Sequence, residues 1–228
     1  MTIAKRVICL AHTTGLCACC FAGIELFGDR RLVQFFPANP RREKRISLEK
    51  WRYEDGNHPS CLDIMDVPFV ETGRAVYNNE AWLLDPDQYW RKVARAPWSD
   101  LARHAGPDAP LWLNGDSTYH GCNDRMSVAQ VKGVKPTLRL IRVGELKLSV
   151  FNPTAKFGHG DGRVYCRFIH DRTDYNLCVT DSCYMREYLN KGDGCYELGE
   201  AYLTVAISPP YSSMCFKRVA AIMERARS

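Results

Sequence analysis

The side chains with the most chemistry lie in one short segment, residues 111–126, which reads LWLNGDSTYHGCNDRM. Its hydrogen-bond donors and acceptors stand on a backbone that Gly115 and Gly121 allow to bend sharply. Such a segment can wrap a small polar ligand or a flipped base. The ligand contacts predicted in it are Trp112, Asn114, Tyr119, His120, Asn123 and Arg125.

Acid–base chemistry is a second interpretation of this segment. His120 stands four residues before Asp124, which could orient it as a general base for a nucleotide or nucleic-acid base. Ser117 and Cys122 are candidate nucleophiles only by nearness in sequence, without the strained turn of a hydrolase. The chain also has no Walker A loop and no dinucleotide-binding glycine pattern. A non-catalytic segment is therefore favoured, and a polar joint between two domains is the third interpretation.

Two groups of residues could bind metal, and neither pattern favours it. Cys17, Cys19 and Cys20 have no second thiol pair at zinc spacing, so we expect thiols that pack as small hydrophobic groups. Asp63 and Asp66 could hold Mg²⁺, but the polar outer face of a strand explains them better. We expect no cofactor. The odd count of 11 cysteines favours reduced thiols and a cytoplasmic protein.

The net charge of +5 is concentrated near the start of the chain. Residues 1–52 hold ten basic and four acidic side chains, so the other 176 residues sum to about −1. The densest stretch, RREKR at 41–45, contributes Arg41, Arg42, Lys44 and Arg45, either as a solvated loop or as a phosphate-contacting patch. No apolar run approaches the roughly 18–20 residues that span a bilayer, so no membrane partner is expected.

The second half of the chain has the element order of an OB-fold barrel: three strands, a helix and two strands. Gly144 is expected to bend or bulge the long first strand. Asp181 is the predicted N-cap of the helix, which ends at Gly192. The last segment fits a strand better than a closing helix. The predicted strands are 137–151, 163–170, 175–180, 201–207 and 215–223.

The first half of the chain contains similar parts in a less regular order. Strands are predicted at 4–11, 30–37 and 61–70. A helix is expected to begin at Asp85, because Pro86 and Gln88 complete the signal of a capped N-terminus. A second short helix is expected from Ser99 to about His104. The turn-rich residues 106–110 mark the predicted domain boundary.

One strand of the second half has the side chains of a nucleic-acid-binding face. Strand 163–170 alternates Arg163, Tyr165 and Arg167 with apolar residues, and OB barrels bind single strands across strands two and three. Basic side chains there bind phosphates, and aromatic rings stack on bases. The ordinary alternative is the polar face that any half-buried strand presents.

The chain resembles the bacterial dual OB-containing domain family, whose name refers to two successive OB-like barrels. The resemblance rests on several segments in one order. These are LDIMDVPFV (62–70), WLLDPDQYW (82–90), LWLNGDSTYHGCNDRM (111–126), LRLIRV (138–143), YNLCVTD (175–181) and YELGEAYLTVAIS (196–208). The resemblance implies an intracellular accessory protein related to nucleic acids, in some members within anti-phage loci, and it implies no catalytic residues.

The sequence therefore predicts a mainly β (α+β) protein of two OB-like β-barrels with a helical insertion in or after the first. The expected domains are an N-terminal barrel (1–110, with the insertion at about 84–105), a polar junction (111–136) and a C-terminal barrel (137–228). The leading function is a binding module for single-stranded nucleic acid or a nucleotide-like ligand. An enzyme that uses His120 and Asp124, and a scaffold for a protein partner, are the alternatives.

Overall fold

The computed structural model describes residues 2–12, 21–28, 30–37, 52–70, 81–152 and 161–227. The chain divides into two compact units. Unit 1 takes 1–104 with 136–138, and unit 2 takes 105–135 with 139–228. Strands dominate both units, so the mainly β fold class is confirmed. No helix in these ranges is long and apolar enough to span a membrane.

Unit 1 contains a closed five-stranded barrel. Its sheet has the order β1-β2-β3-β5-β4-β6, and a further pairing of β1 with β4 closes the ring. Strands β3 and β5 are parallel, and the other pairs of the ring are antiparallel. This is the order of an OB barrel. The strands are β1 Thr2–His12, β2 Phe21–Glu25, β3 Leu32–Phe36, β4 Asp63–Val70, β5 Ala81–Leu84 and β6 Arg91–Arg95.

Aromatic rings fill the core of unit 1. Phe35 and Trp90 are both fully buried, and their rings meet edge to face with centroids 5.8 Å apart. Phe21 packs on both rings, at 6.1 Å from Phe35 and 4.9 Å from Trp90. Such pairs add stabilisation beyond the burial of their area. The core therefore includes Trp90, the residue just before β6.

The helix predicted from Asp85 is wrong, because residues 85–88 form a turn that leads into strand β6. The local signal is real: the Asp85 carboxylate accepts the Asp87 N–H at 3.0 Å and the Gln88 side-chain amide at 3.3 Å. It also accepts the Thr2 hydroxyl of β1 at 2.6 Å. Burial of Trp90 and the pairing of β6 with β4 then favour a strand over a helix. The second predicted helix is present as a 3-10 helix, Trp98–Arg103.

Unit 2 follows the same strand order. Its sheet runs β12-β9-β10-β11-β14-β13-β8, and β7 pairs with β14. Only Gly144 and Glu145 separate β8 from β9, so together they take the place of the first strand of an OB barrel, and β11 pairs with β14 in parallel as such a barrel requires. The strands are β7 Arg125–Ser127, β8 Leu138–Val143, β9 Leu146–Phe151, β10 Arg163–His170, β11 Thr173–Val179, β12 Gly194–Leu198, β13 Ala201–Ile207 and β14 Met214–Glu224.

The bend predicted at Gly144 is confirmed, since β8 ends at Val143 and β9 begins at Leu146 with a different partner strand. The helix predicted after Asp181 is also confirmed. Helix α2, Ser182–Lys191, follows a short helix α1, Val128–Val131. A 3-10 turn, Arg225–Arg227, follows β14. Strand β12, which pairs with β9, is an addition that the sequence did not indicate.

Helix α2 is joined to the last strand through a buried carboxylate. Asp181 accepts the N–H groups of Cys183 and Tyr184 at the start of the helix, at 3.0 and 3.2 Å. Its other oxygen accepts the Ile222 N–H of β14 at 3.1 Å. One side chain thus caps the helix and fixes the helix to the barrel.

Candidate functional site

The start of segment 111–126 is fixed by two buried side chains of unit 2. The Tyr175 hydroxyl oxygen accepts the Leu111 N–H at 2.8 Å and the Asn114 side-chain amide at 2.9 Å. The Lys217 Nζ donates to the Leu113 carbonyl at 2.7 Å and to the Asn114 Oδ1 at 2.6 Å. Both ends of the Asn114 amide are therefore used within the protein.

Lys217 is a buried side chain of this region that the sequence analysis missed. It is 1% exposed, and its ammonium lies 5.4 Å from the centre of the Tyr175 ring. Burial lowers the pKa of Lys217 to about 8, although the nearby Asp124 charge opposes the shift. Lys217 occupies an inward-facing position of β14 between Cys215 and Val219, which are both buried. A lysine at an inward position of an alternating strand was the available signal.

The middle of the segment is a turn closed around the Asp124 carboxylate, which is buried. One oxygen accepts the Thr118 N–H at 2.7 Å, and the other accepts the Thr118 hydroxyl at 2.6 Å. The Thr118 Oγ1 in turn accepts the Gly121 N–H at 3.0 Å. Asp124 also holds the last strand, because its carbonyl accepts the Lys217 N–H at 2.8 Å.

The pairing expected of a general base and its orienting carboxylate is not formed. Across the described ranges no hydrogen bond joins His120 to Asp124, whose oxygens are both used by Thr118. The two candidate nucleophiles are also engaged. The Ser117 Oγ accepts the Asn123 N–H at 2.9 Å, and the Cys122 thiol donates to the carbonyl of residue 174 at 3.4 Å. Burial raises the pKa of Cys122, which disfavours a reactive thiolate.

Two more predicted ligand contacts are turned into the protein. Arg125 binds the Asp116 carboxylate through two nitrogens, at 3.0 and 2.7 Å, and this lowers the pKa of Asp116. Asn123 accepts the Gly115 N–H at 2.7 Å and donates to the Asp174 carbonyl at 3.0 Å. Most polar side chains of the segment thus hold the segment in shape.

Backbone hydrogen bonds join the segment to two strands of unit 2. Cys122 and Asn176 exchange both of their backbone hydrogen bonds at 3.1 Å, which places the segment beside β11. Three residues later, β7 begins and pairs with β14. Residues 105–135 cluster with unit 2 as a whole. The segment therefore crosses from β11 to β14.

Two side chains at the tip of the segment lie over the outer face of the barrel. The Tyr119 ring is 96% exposed and meets the His120 ring edge to face, with centroids 4.7 Å apart. The His120 ring lies 5.3 Å from Phe151 of β9 and 5.9 Å from Tyr165 of β10. We call Tyr119, His120, Phe151 and Tyr165 the aromatic platform. The side-chain amide of Asn176 fixes the backbone of His120, because it donates to the His120 carbonyl at 2.6 Å.

The predicted stripe of β10 lies beside the aromatic platform. Arg163 and Arg167 are exposed as expected, but Tyr165 is only 6% exposed, under the ring of His120. The Arg167 guanidinium binds the Asp174 carboxylate through two nitrogens, at 3.1 and 2.6 Å. Arg163 pairs in register with Phe151, and a side-chain hydrogen bond to Tyr165 raises its pKa. Within the described residues no carboxylate lies at ion-pair distance from Arg163.

Trp112, another predicted contact, packs partly against the core of unit 2. Its backbone has a left-handed φ of 56°, and the Arg139 guanidinium lies 5.5 Å from the centre of its ring. Residues 41–45, with Arg41, Arg42, Lys44 and Arg45, lie outside the described residues. So does the thiol cluster at 17, 19 and 20.

Asp63 and Asp66 of unit 1, which the sequence analysis assigned to the polar outer face of a strand rather than to a Mg²⁺ site, do not converge, and the outer-face prediction is wrong for Asp63. Asp63 is fully buried and accepts the Tyr53 hydroxyl at 2.9 Å, whereas Asp66 binds Arg6 at 2.7 Å. Three residues apart in a strand, the two side chains point to opposite faces. In the parts of the chain that the structure describes, no group of three or more His, Cys, Asp or Glu side chains could hold a metal ion. The described cysteines form no disulfide.

Comparison with known proteins agrees with two barrels of this order. The family model of the dual OB-containing domain matches residues 5–222, which is nearly the whole chain. No curated protein and no solved structure matches it. The match and the two barrels place this chain in the family of the dual OB-containing domain.

Proposed function

We propose that unit 2 binds single-stranded nucleic acid, or a ligand built like one of its nucleotides, on the aromatic platform. The observation that carries the proposal is the exposed Tyr119 ring, held edge-on to His120 over the outer face of β9 and β10. An aromatic side chain so exposed gains little for folding, whereas a base stacked on it gains about 1–3 kcal/mol.

The charge beside the platform supports the same ligand. Arg163 lies on β10, opposite Phe151 of β9. Strand β10 is the second strand of the OB barrel, where such barrels commonly bind single strands. The Arg163 guanidinium is available to bind a phosphate, because no carboxylate among the described residues lies at ion-pair distance from it. Arg167 and Lys147, by contrast, are already bound to Asp174 and Glu197. A ligand with stacked bases and a few phosphates fits this face better than a purely anionic one.

Binding of a fluorescein-labelled oligo-dT strand by Tyr119→Ala tests the proposal. We expect the dissociation constant to rise about 5- to 150-fold, the equivalent of one lost stack. Tyr119→Phe is the matched control, since it keeps the ring and should keep most of the affinity. Equal binding by wild type and Tyr119→Ala would contradict the proposal.

Arg163→Gln separates the phosphate contact from the stack. For a single strand, each phosphate contact adds about 0.7 to the slope of log K against log salt. We therefore expect Arg163→Gln to lower this slope by about 0.7, and Tyr119→Ala to leave it unchanged. An accessory role of this binding in a bacterial nucleic-acid-processing or anti-phage system, in the cytoplasm, stays a prediction.

A further inference from the structure

Strand β6 of unit 1 is an edge strand with an unusual concentration of positive charge. All five of its residues are exposed, and three of them are the cations Arg91, Lys92 and Arg95. Among the described strands, β6 pairs only with β4. Both of its faces therefore present charge to solvent.

The carboxylates that compensate this charge belong to the neighbouring strand β4, one on each of its faces. The Asp63 side chain is 1% exposed and lies 2.8 Å from the Lys92 Nζ, while Asp66 is 17% exposed and lies 2.6 Å from Arg91. The three cations of β6 keep 48–66% of their side-chain surface. An anion in solvent therefore approaches the cations first.

A third carboxylate, that of Asp55, acts electrostatically on Lys92. Both of its oxygens are bonded to Asn57, at 2.9 Å from the backbone nitrogen and 2.9 Å from the side-chain amide. These bonds, which lower the pKa of Asp55, keep it ionised. With Arg6 and Arg52, which lie next to these residues, five cations stand against the three carboxylates Asp55, Asp63 and Asp66.

Each of these two arginines lies close to an exposed aromatic ring. The Arg6 guanidinium lies 5.8 Å from the Phe27 ring, which is 66% exposed. The Arg52 guanidinium lies 5.4 Å from the Tyr89 ring, which is 54% exposed. Arg6 is joined to β6 through Asp66, and the Arg52 carbonyl accepts the N–H of Trp90, the residue before β6. We call Arg91, Lys92 and Arg95 with these two pairs the basic edge.

We propose that the basic edge is a second contact for single-stranded nucleic acid, which binds phosphates on β6 and bases on Phe27 or Tyr89. The ligand class rests on the function proposed for unit 2, whereas the location rests only on unit 1. Interleaved cations and aromatic rings are the pattern of single-strand binding.

An acidic peptide added as a further strand fits this surface less well. The pairing of β4 with β6 shifts register between Ile64 and Met65, and Val93 is left without a partner. A bulge of this kind interrupts the ladder that an added strand would need. A nucleic-acid backbone needs no such ladder.

The test uses a double variant that leaves the buried carboxylates paired. In Arg91→Gln with Arg95→Gln, Asp63 keeps Lys92 and Asp66 keeps Arg6. With the full-length protein and labelled oligo-dT, we expect affinity to fall at least about threefold and the salt slope to fall by about 1.4. Lys132→Gln with Lys135→Gln removes the same net charge from unit 2 and should leave both values unchanged.

The outcomes separate this proposal from the function of unit 2. Wild-type binding by the Arg91/Arg95 variant, together with weaker binding by Tyr119→Ala, overturns the basic edge alone. The reverse pattern supports the basic edge and overturns the aromatic platform. A wild-type protein that binds no oligonucleotide overturns both. If polyglutamate binds the wild type but not the double variant, whereas oligo-dT binds both equally, the basic edge is a peptide surface and the proposal fails.

Discussion

The Lys217 Nζ lies 2.6 Å from the side-chain oxygen of Asn114, which precedes it by 103 residues. This bond joins the last strand of the second barrel to the start of segment 111–126. Because the same amide donates to the Tyr175 hydroxyl, the segment is fixed to two strands before it reaches its tip. The exposed ring of Tyr119 therefore belongs to a segment whose start is fixed to the barrel.

The contribution of Lys217 to stability should rise with pH. Its pKa is about 8 in the folded protein against an ordinary 10.5, so between these values the unfolded chain keeps a proton that the folded protein has released. We expect the difference in free energy of unfolding between wild type and Lys217→Met to shift in favour of wild type by about 1 kcal/mol from about pH 7 to about pH 9. Urea unfolding of both proteins at the two pH values measures it. Titrations of groups that do not interact with Lys217 cancel in this difference, so an identical difference at both pH values would contradict the assignment.

Gly121 should not tolerate a side chain. A Cβ there would lie 2.0 Å from the Asp124 Oδ2, which Thr118 holds in place. We expect Gly121→Ala to lower the free energy of unfolding by about 1–3 kcal/mol, because the carboxylate must move and lose its bonds. Gly133→Ala, whose Cβ would meet nothing within 4 Å, is the matched control and should stay within about 0.5 kcal/mol of wild type. Equal effects of the two changes would show that the turn yields freely.

The second barrel could be predicted from the sequence because its elements are regular and its caps are local. Strand β10 alternates with period two, and Asp181 binds N–H groups only two and three residues away. The first barrel was harder, since Asp85 gives the signal of a capped helix while the burial of Trp90 commits the chain to a strand. Local propensity cannot report a pairing with β4, which lies over twenty residues away.

The site could be predicted less well than the fold. The sequence drew attention to segment 111–126, but it could not show that Asp124 is hydrogen-bonded within the segment, or that Asn123 is hydrogen-bonded to Gly115 and to the Asp174 carbonyl of β11. It also placed Tyr165 outward by alternation, whereas His120 covers it. Which polar groups stay available depends on contacts between distant residues, such as that of Asn176 with the His120 carbonyl.

Asp181 should be a large single contributor to the stability of unit 2. Its carboxylate accepts two N–H groups of helix α2 and the N–H of Ile222 in β14, and it is buried. Asp181→Ala removes the cap and leaves the Ile222 N–H without its acceptor, so we expect a loss of about 2–4 kcal/mol in the free energy of unfolding. Asp181→Asn keeps one acceptor oxygen and should lose less. Thermal and urea unfolding measure both, and a loss below about 0.5 kcal/mol for Asp181→Ala would contradict this role.

Release of Arg167 should strengthen nucleic-acid binding. The Asp174 carboxylate now holds this guanidinium, on the same strand as Arg163 and two residues from Tyr165. Asp174→Asn removes the competing anion but keeps the Asp174 carbonyl that Cys122 and Asn123 use. We expect tighter binding of labelled oligo-dT and a salt slope steeper by about 0.7, as for one more phosphate contact.

The stability cost of this change should be small, because an exposed ion pair contributes at most about 1 kcal/mol. Asp108→Asn removes the same charge from an exposed loop of unit 2 and corrects for the change in net charge. If the two variants bind oligo-dT equally, Arg167 does not reach the ligand, and the bound strand must leave the face of β10 between Tyr165 and Arg167. If only Asp174→Asn binds more tightly, the contact extends along β10 from Arg163 to Arg167, and the ion pair with Asp174 limits affinity in the wild type.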